Sequence, residues 1–232
     1  MKTIGLIGGM SWESTASYYK ALNLGIKSTL GGLHSAKICL YSVDFHEIEQ
    51  LQHDGLWDET AQILTCAAQA VEAGGADFIL ICTNTMHKVV PQIEPHISKP
   101  ILHIADATAE ALIADGITKV GLLGTRFTME QSFYKQRLTD KFGIDVVVPN
   151  EAQRTIVHEV IYQELCKGKI SQSSRNHYLK VIEDLVKQGA EAVILGCTEI
   201  ALLVEPQHIK VKLYDTTQIH ANAAVKLALQ QD

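Results

Sequence analysis

The chain contains an internal repeat, and this repeat limits its possible folds more than any other feature. Residues 76–85 read ADFILICTNT and residues 190–199 read AEAVILGCTE, so the two segments lie 114 positions apart (190 − 76 = 114). Each segment follows a glycine and joins a short apolar run to a small polar cluster. Such a run is typical of a buried strand, and the polar cluster marks where the next helix should begin.

A second pair of segments repeats at nearly the same offset. The opening run around GLIGG (5–9) leads into an amphipathic helical segment, and KVGLLGTRFTMEQ (119–131) repeats this unit 116 positions later (121 − 5 = 116). Residues 101–106 and 211–215 are predicted to form a further strand in each half. Strands that alternate with helices at these lengths predict parallel sheets with right-handed crossovers.

We therefore predict an α/β fold with two similar Rossmann-like lobes that carry parallel sheets and are related by an internal pseudo-twofold repeat. The first lobe is assigned to residues 1–98 and the second to residues 99–208. The tail, residues 209–232, is expected to pack near the first lobe.

Composition excludes several classes of protein. A net charge of −6 gives no reason to expect nucleic acid or an anionic membrane surface as a partner. No run of apolar residues approaches the ~18 needed for a transmembrane helix, and the N-terminus does not resemble a signal peptide. The five cysteines lack paired short spacing, which favours a reducing, cytoplasmic location. Together with the ten histidines they show no metal-ligand spacing, so no metal is expected.

The repeat pairs Thr83 with Cys197 (197 − 83 = 114), each at the end of a predicted strand. In open α/β sheets the carboxyl ends of the strands form the ligand-binding edge. The hypothesis is that one side chain from each copy faces a shared cleft. Cys82 precedes Thr83 and so points to the opposite face of its strand, which predicts that Cys82 lies in the core.

Cys197 is the leading candidate for chemistry. It follows a buried run and precedes a predicted helix, where the helix dipole and free N–H groups favour a thiolate. The alternative is that Cys197 is a small buried hydrophobe, as most free cysteines are.

Four polar residues accompany the candidate pair. Asn84, Thr85 and Thr198 lie where helix-start N–H groups can hold a carboxylate, although ordinary capping explains them equally well. Glu199 can polarise a bound group or pair with an ammonium, or it can simply be an acid favoured by the dipole of the first turn.

The opening GLIGG invites a dinucleotide-binding interpretation, which we reject. Gly5, Gly8 and Gly9 do not have the G-x-G-x-x-G order, and neither does GLLGT (121–125). No nucleotide cofactor is therefore expected.

Four segments, GLIGGMSWEST, CTNTMH, LLGTRFTMEQ and GCTE, cover the chain in order and resemble the aspartate/glutamate racemase family. The resemblance implies two Rossmann-like lobes, a small amino-acid substrate, no pyridoxal phosphate or other cofactor, and commonly a homodimer. It also implies two opposed acid/base residues, which by motif are Thr83 and Cys197. The positions that match the family's substrate-binding residues are Met10, Asn84, Thr85 and Thr198.

Two departures from the family pattern matter. Most aspartate racemases carry cysteine at both catalytic positions, whereas the first is Thr83 here, and an alcohol is a far weaker acid than a thiol. The nearest matches to the family's basic residues for an acidic side chain are Gln52 and Cys166 (166 − 52 = 114), and neither is a cation. A broader or neutral polar substrate is therefore an open alternative.

These observations predict a cofactor-independent amino-acid racemase that works by two-base proton transfer. Cys197 thiolate would remove the α-proton, and Thr83 would return one from the opposite side. The alternatives are a related enzyme, such as a hydantoin racemase or a decarboxylase, or a small-molecule binding protein without catalytic turnover.

Overall fold

The computed structural model describes residues 1–230, which form two compact units. The first contains Met1–Ile104 and the residues from His220 onward, and the second contains Ala105–Ile219. Every strand pair among the described residues is parallel, so the predicted α/β class with parallel sheets is confirmed.

The first unit holds a three-stranded sheet, among the described residues, in the order β2-β1-β3. Its elements are β1 (Ile4–Gly8), α1 (Trp12–Leu30), β2 (Ile38–Ser42), α2 (Phe45–Asp54), α3 (Trp57–Ala73), β3 (Phe78–Ile81) and α4 (Val90–Ile93). Short 3₁₀ helices at Thr85–Val89 and Glu94–His96 flank α4. The helix α5 (Ile104–Ala114) follows and belongs to the second unit from Ala105 onward.

The second unit holds a sheet of four described strands in the order β5-β4-β6-β7. Its elements are β4 (Lys119–Gly124), α6 (Arg126–Glu130), α7 (Ser132–Phe142), β5 (Asp145–Val147), α8 (Glu151–Gln163), α9 (Gln172–Lys187), β6 (Ala192–Gly196), α10 (Ile200–Leu203) and β7 (Lys212–Asp215). Two 3₁₀ helices lie at Leu165–Lys167 and Pro206–His208, and the helix α11 (Thr216–Leu229) is the last described element.

The two sheets share one topology, which confirms the internal repeat. The order β2-β1-β3 matches β5-β4-β6, and the match extends one strand further. β6 pairs with β7 through Val193 and Leu213, and the equivalent residue Ile79 of β3 forms an isolated parallel bridge with Ile101.

The prediction of a strand over residues 101–106 is wrong beyond that bridge, because α5 already begins at Ile104. The backbone N–H groups of this segment have different kinds of acceptor. The Leu102 N–H donates to the Ile79 carbonyl as in a strand, but the Ile104 N–H donates to a nitrogen of the His87 ring. A side chain therefore takes the donor that would otherwise extend the ladder.

The C-terminal segment 209–232, predicted to pack near the first lobe, includes elements of both units within its described residues. β7 pairs with β6 in the second sheet, whereas α11 contributes Ala221, Ala224 and Val225 to a core cluster of the first unit. The boundaries between the units lie after Ile104 and Ile219, whereas the predicted lobe boundaries lie after residues 98 and 208.

Alternation along β1 shows how the first sheet fills two cores. Ile4 and Leu6 pack on the side of α1 and α11, and Ile7 packs on the side of α3. Because both faces of the sheet are buried, polar side chains occur mainly at the ends of the strands. Among residues 1–230, no helix combines the length and apolarity that crossing a lipid bilayer requires.

Candidate active site

The strand β3 continues by one residue into Cys82, whose N–H donates to the Ile7 carbonyl at 2.9 Å. The Cys82 side chain is fully buried in the core cluster that includes Tyr18 and Leu22. Burial raises the pKa of the Cys82 thiol far above its usual value. The prediction that Cys82 is a core residue is confirmed, and its thiol is held in the protonated form.

Thr83 begins the turn that follows, and this turn is held through its backbone carbonyls. Thr83 is half-buried, and Asn84 and Thr85 are buried. The Ser14 hydroxyl donates to the Cys82 carbonyl at 2.9 Å, and Nδ1 of His87 lies 2.8 Å from the Thr83 carbonyl. Side chains from two different helical segments therefore fix the two peptide groups on either side of the Thr83 α-carbon.

Met10 and Gln52 lie beside the same turn. The Gln52 amide nitrogen is 2.8 Å from the sulfur of Met86, which belongs to the 3₁₀ helix that follows Thr83 and Asn84. Met10 packs in the core cluster that contains Met86 and Ile48. The first unit thus gathers its candidates at the carboxyl edge of its sheet: Met10, Gln52, Thr83, Asn84 and Thr85.

Gly9 shapes the turn after β1 that leads to Met10. Its φ is +97°, a region that favours glycine, and a side-chain carbon there would collide with the Val43 carbonyl. The Gly9 N–H donates to the Thr15 hydroxyl at 2.8 Å. The chain can therefore turn closely past the end of β2 before α1 begins.

In the second unit Cys197 follows β6 in a turn that ends where α10 begins at Ile200. Its thiol donates to Oε2 of the buried Glu199 at 3.0 Å. Burial, the charge of Glu199 and the nearby Cys166 raise the pKa of the Cys197 thiol well above its usual value. The resting group is therefore a thiol rather than a thiolate.

This result is opposite to the effect expected from the sequence, which was a thiolate favoured by a helix N-terminus. α10 has only four residues and starts three positions after Cys197, so little helix dipole reaches the sulfur. Glu199 instead points its carboxylate at the thiol. A carboxylate next to a partly buried thiol disfavours ionisation of the thiol.

Cys166 and Thr198 complete the predicted set in the second unit. Cys166 lies in the 3₁₀ helix after α8 and packs against the same core cluster as Cys197. The hydroxyls of Thr198 and Thr217 are 3.1 Å apart. The second unit therefore brings Cys166, Cys197, Thr198 and Glu199 to the carboxyl end of β6.

Two further polar residues lie at this edge and were not among the predicted site residues, one at the end of each of the two strands that flank β6. Asp215 ends β7, and its carboxylate accepts hydrogen bonds from the N–H groups of Thr217 and Gln218 at 2.9 and 3.3 Å. Burial raises the pKa of the Asp215 carboxyl. Thr125 follows β4 and caps α6 by accepting from the Thr128 N–H. Thr125 carries the same sequence signal as Cys197, a polar residue directly after a buried strand, whereas Asp215 is the last residue of a strand that is only partly buried.

Two glycines set the spacing of the strands that carry this edge. Gly124 of β4 is in register with Gly196 of β6. A Cβ atom on Gly196 would lie 2.7 Å from the Leu123 carbonyl, and one on Gly124 would lie 3.0 Å from the Gly196 carbonyl. Only glycine allows the two strands to approach this closely, and Cys197 directly follows Gly196.

These groups can move protons. The Cys197 thiol already shares its hydrogen with a carboxylate, and the Thr83 hydroxyl is a weak acid that can act as a donor. Among residues 1–230, His, Cys, Asp and Glu side chains do not converge in any group of three that could bind a metal ion.

The chain is similar in sequence and in structure to known proteins of one family. A model of the Asp/Glu/Hydantoin racemase family matches residues 7–224. A crystal structure of a provisionally assigned Asp/Glu racemase from Yersinia pestis is 57% identical, covers 99% of this chain and 100% of that chain, and superposes with a TM-score of 0.93.

Two more distant relatives match over a similar length. The crystal structure of an aspartate racemase homologue from Pyrococcus horikoshii OT3 is 34% identical over 99% of this chain and 100% of that chain, with a TM-score of 0.85. The broad specificity amino-acid racemase RacX of Bacillus subtilis (strain 168) is 21% identical over 97% of this chain and 98% of its own length.

Proposed function

Because the chain belongs to the Asp/Glu/Hydantoin racemase family, we propose that it inverts amino acids at the α-carbon by two-base proton transfer without a cofactor. The observation that supports this most directly is the equivalence of the two turns. Thr83 follows β3 and Cys197 follows β6, and these strands hold the same position in two sheets of the same order. One proton-transfer group on each of two repeats suits a reaction that needs one on each face of the substrate.

In the proposed first step, the Cys197 thiolate removes the α-hydrogen. A new S–H bond forms, the Cα–H bond breaks, and the electron pair moves into the substrate carboxylate. The resting thiol must first lose its proton, which Glu199 or solvent accepts. An α-ammonium that approaches Glu199 offsets the charge that disfavours the thiolate, so substrate binding itself promotes ionisation.

In the proposed second step, Thr83 or a water molecule beside it donates a proton to the other face of the α-carbon. The O–H bond breaks, a Cα–H bond of opposite configuration forms, and the oxygen regains a proton from solvent. We propose that Asn84, Thr85 and Thr198 hold the α-carboxylate, where their polar groups and turn N–H groups stabilise the developing negative charge.

The raised pKa of the Cys197 thiol leads to a prediction about pH dependence. Exchange from the substrate that faces Cys197 should increase with pH as the thiol ionises, above the range of an ordinary thiol. Glu199→Gln removes the negative charge, so the pKa of the thiol should fall and the midpoint of kcat/KM against pH, which reports the free enzyme, should move down by about one pH unit. KM should rise in the same variant, because the proposed partner of the substrate ammonium is lost.

Glu164→Gln is the matched control for this measurement. Glu164 is also a partly buried carboxylate of the second unit, but it accepts from the Ser174 hydroxyl at 2.7 Å rather than from the Cys197 thiol. Its replacement should leave the midpoint in place. An unchanged midpoint in Glu199→Gln would show that this carboxylate does not control ionisation of Cys197.

The substrate class follows from Gln52 and Cys166. Neither residue can pair with a second carboxylate as a cation, and the Gln52 amide already contacts the sulfur of Met86. We predict that neutral polar amino acids are turned over at least as well as aspartate. Asparagine and aspartate form the matched pair, since they have nearly the same shape and differ in charge.

Solvent-deuterium incorporation at the α-carbon, followed by NMR across a panel of amino acids and a hydantoin, tests both the reaction and the substrate class. Exchange of amino acids with loss of optical activity supports a racemase. Loss of a carboxyl group, exchange of the hydantoin alone, or binding without exchange would each indicate one of the alternatives. A strict preference for aspartate would contradict the neutral substrate class and direct attention to Arg126 or Lys167 as the missing cation.

We further propose that the enzyme works in the cytoplasm as a homodimer. The edge strand β2 supports pairing of two copies, since Leu40 and Tyr41 are each 45% exposed on it. The strand itself, ICLYS, contains no charged residue or proline that would protect its free edge.

A further inference from the structure

His87 connects the Thr83 turn to the start of α5. Its side chain is buried, and both ring nitrogens contact the backbone. Nδ1 lies 2.8 Å from the Thr83 carbonyl, and Nε2 lies 3.2 Å from the Ile104 nitrogen. The ring therefore joins two segments that are 21 positions apart in the sequence (104 − 83 = 21).

The backbone partners determine where the proton of this imidazole resides. The Ile104 N–H can only donate, so Nε2 must accept and carries no hydrogen. The Thr83 carbonyl can only accept, so Nδ1 must donate. His87 is thus required to be the neutral Nδ1–H tautomer, and the charged form would leave the Ile104 N–H facing a second donor.

A second buried histidine, His220, has the opposite tautomer, with the hydrogen on Nε2, and binds the backbone at Leu102. Nε2 of His220 lies 2.7 Å from the Leu102 carbonyl, and its Nδ1 lies 2.8 Å from the Tyr18 hydroxyl. Burial lowers the pKa of His220 to about 4, so it is neutral at pH 7. The His87 ring packs against the rings of His103 and His220, with centroids 4.5 and 5.8 Å apart. This packing restricts rotation of the His87 ring.

We propose that His87 is a positioning residue whose Nδ1–H holds the Thr83 carbonyl and thereby aims the residue-83 side chain at the substrate. The inference deepens the proposed two-base racemisation and rests on it. Residue 83 is half-buried at the end of a strand, so its side-chain direction depends on the backbone of one turn. The Ser14 hydroxyl holds the preceding carbonyl, which leaves the Thr83 carbonyl as the position that His87 controls.

Two variants separate the two ends of the bridge. His87→Asn places an amide N–H near the position of Nδ1, so it can still donate to the Thr83 carbonyl, but it loses the acceptor for Ile104. His87→Gln places an amide oxygen near the position of Nε2, so it can still accept from Ile104, but it loses the bond to Thr83. Both should be made in the Thr83→Cys background, in which exchange at the residue-83 face is expected to be measurable. The Thr83 carbonyl contact is a backbone contact and survives that substitution.

Deuterium exchange from each enantiomer is the kinetic readout. Relative to Thr83→Cys alone, His87→Gln should lower exchange at the residue-83 face by about tenfold, because small misplacement of a reacting group is costly. His87→Asn should retain it within about threefold, and exchange at the Cys197 face should change by less than about threefold in both variants. Equal losses in the two variants, or equal losses at both faces, would overturn the proposal in favour of a purely structural role.

The tautomer gives a test that does not depend on activity. In wild-type protein labelled with ¹⁵N-histidine, the His87 ring should show a protonated Nδ1 and an unprotonated Nε2 at neutral pH. An Nε2–H tautomer or a charged ring would overturn the proposal. If Thr83→Cys shows no exchange at its face, the two-base reaction fails. The NMR result, together with slowed amide exchange at Ile104 in His87→Gln relative to His87→Asn, then still decides whether His87 forms the bridge.

Discussion

Replacing Cys197 by serine is expected to lower α-proton exchange by about 10²–10⁴-fold, the range that a positioned acid/base group contributes. Serine has nearly the same shape, but its hydroxyl is a much weaker acid than a thiol and loses its proton far less readily to form a base. Exchange of deuterium from solvent into an L amino acid, measured by NMR as an initial rate, gives the size of the loss. The thermal unfolding midpoint should change little, since Cys197 is only partly buried.

Cys82→Ser is the matched control, because Cys82 lies at the end of the equivalent strand of the first unit. Its side chain is fully buried among apolar groups, so a hydroxyl there should cost about 1–3 kcal/mol of folding stability. Exchange should stay within about threefold of wild type at temperatures where the variant is folded. The assignment would be reversed if Cys82→Ser were inactive and Cys197→Ser active.

Thr83→Cys is expected to give the second large effect, a gain of exchange from one enantiomer. The two faces of the proposed site are unequal, because a thiol can supply a thiolate and an alcohol hardly supplies an alkoxide. Each pKa unit of mismatch costs about 1.4 kcal/mol, so the enantiomer that faces Thr83 should exchange slowly in the wild type. The handedness implied by the family resemblance makes this the D form. The cysteine variant should raise D exchange by at least about tenfold and leave L exchange nearly unchanged.

The measurement requires initial rates from pure L and pure D substrate, because equilibrium forces the forward and reverse rates to be equal. Thr83→Ser is the matched control: it keeps the hydroxyl and should leave the D rate low. Equal exchange from both enantiomers in the wild type would show that Thr83 is not the limiting group. The two-base assignment would then have to be withdrawn.

The fold was largely predictable because the repeated segments are apolar runs that form buried strands. Apolar runs that end in a polar cluster identified β3 and β6, and their common offset identified two sheets of one topology. The same pattern predicted that Cys82 is core, since neighbouring residues of a strand point to opposite faces. These features depend on local periodicity, which a single sequence displays directly.

Two helices were not predicted from the sequence. One is α2, which carries Gln52, and the other is α8, which precedes Cys166. In α2 the buried residues are Ile48 and Gln52, one of which is polar, so the apolar stripe is too weak to recognise. α8 did have a local signal that could have been used. Asn150 and Gln153 form a capping box at its start.

The protonation state of Cys197 and the role of His87 could not have been predicted from local patterns. Glu199 is two positions from Cys197, but only the turn before α10 aims its carboxylate at the thiol. His87 lies four positions after Thr83, and its second partner, Ile104, comes from a segment that was predicted to be a strand. Both features arise from side-chain directions that tertiary packing sets.

The close approach at Gly196 has a consequence for anyone who wishes to make the two halves alike. Transplanting the first motif into the second half would put cysteine at 196, where its Cβ would lie 2.7 Å from the Leu123 carbonyl and force β4 and β6 apart. At position 82 the reverse change, from cysteine to glycine, adds no atoms and removes a buried thiol. At this pair of positions the steric contact therefore opposes the change in one direction only, from glycine to cysteine at 196.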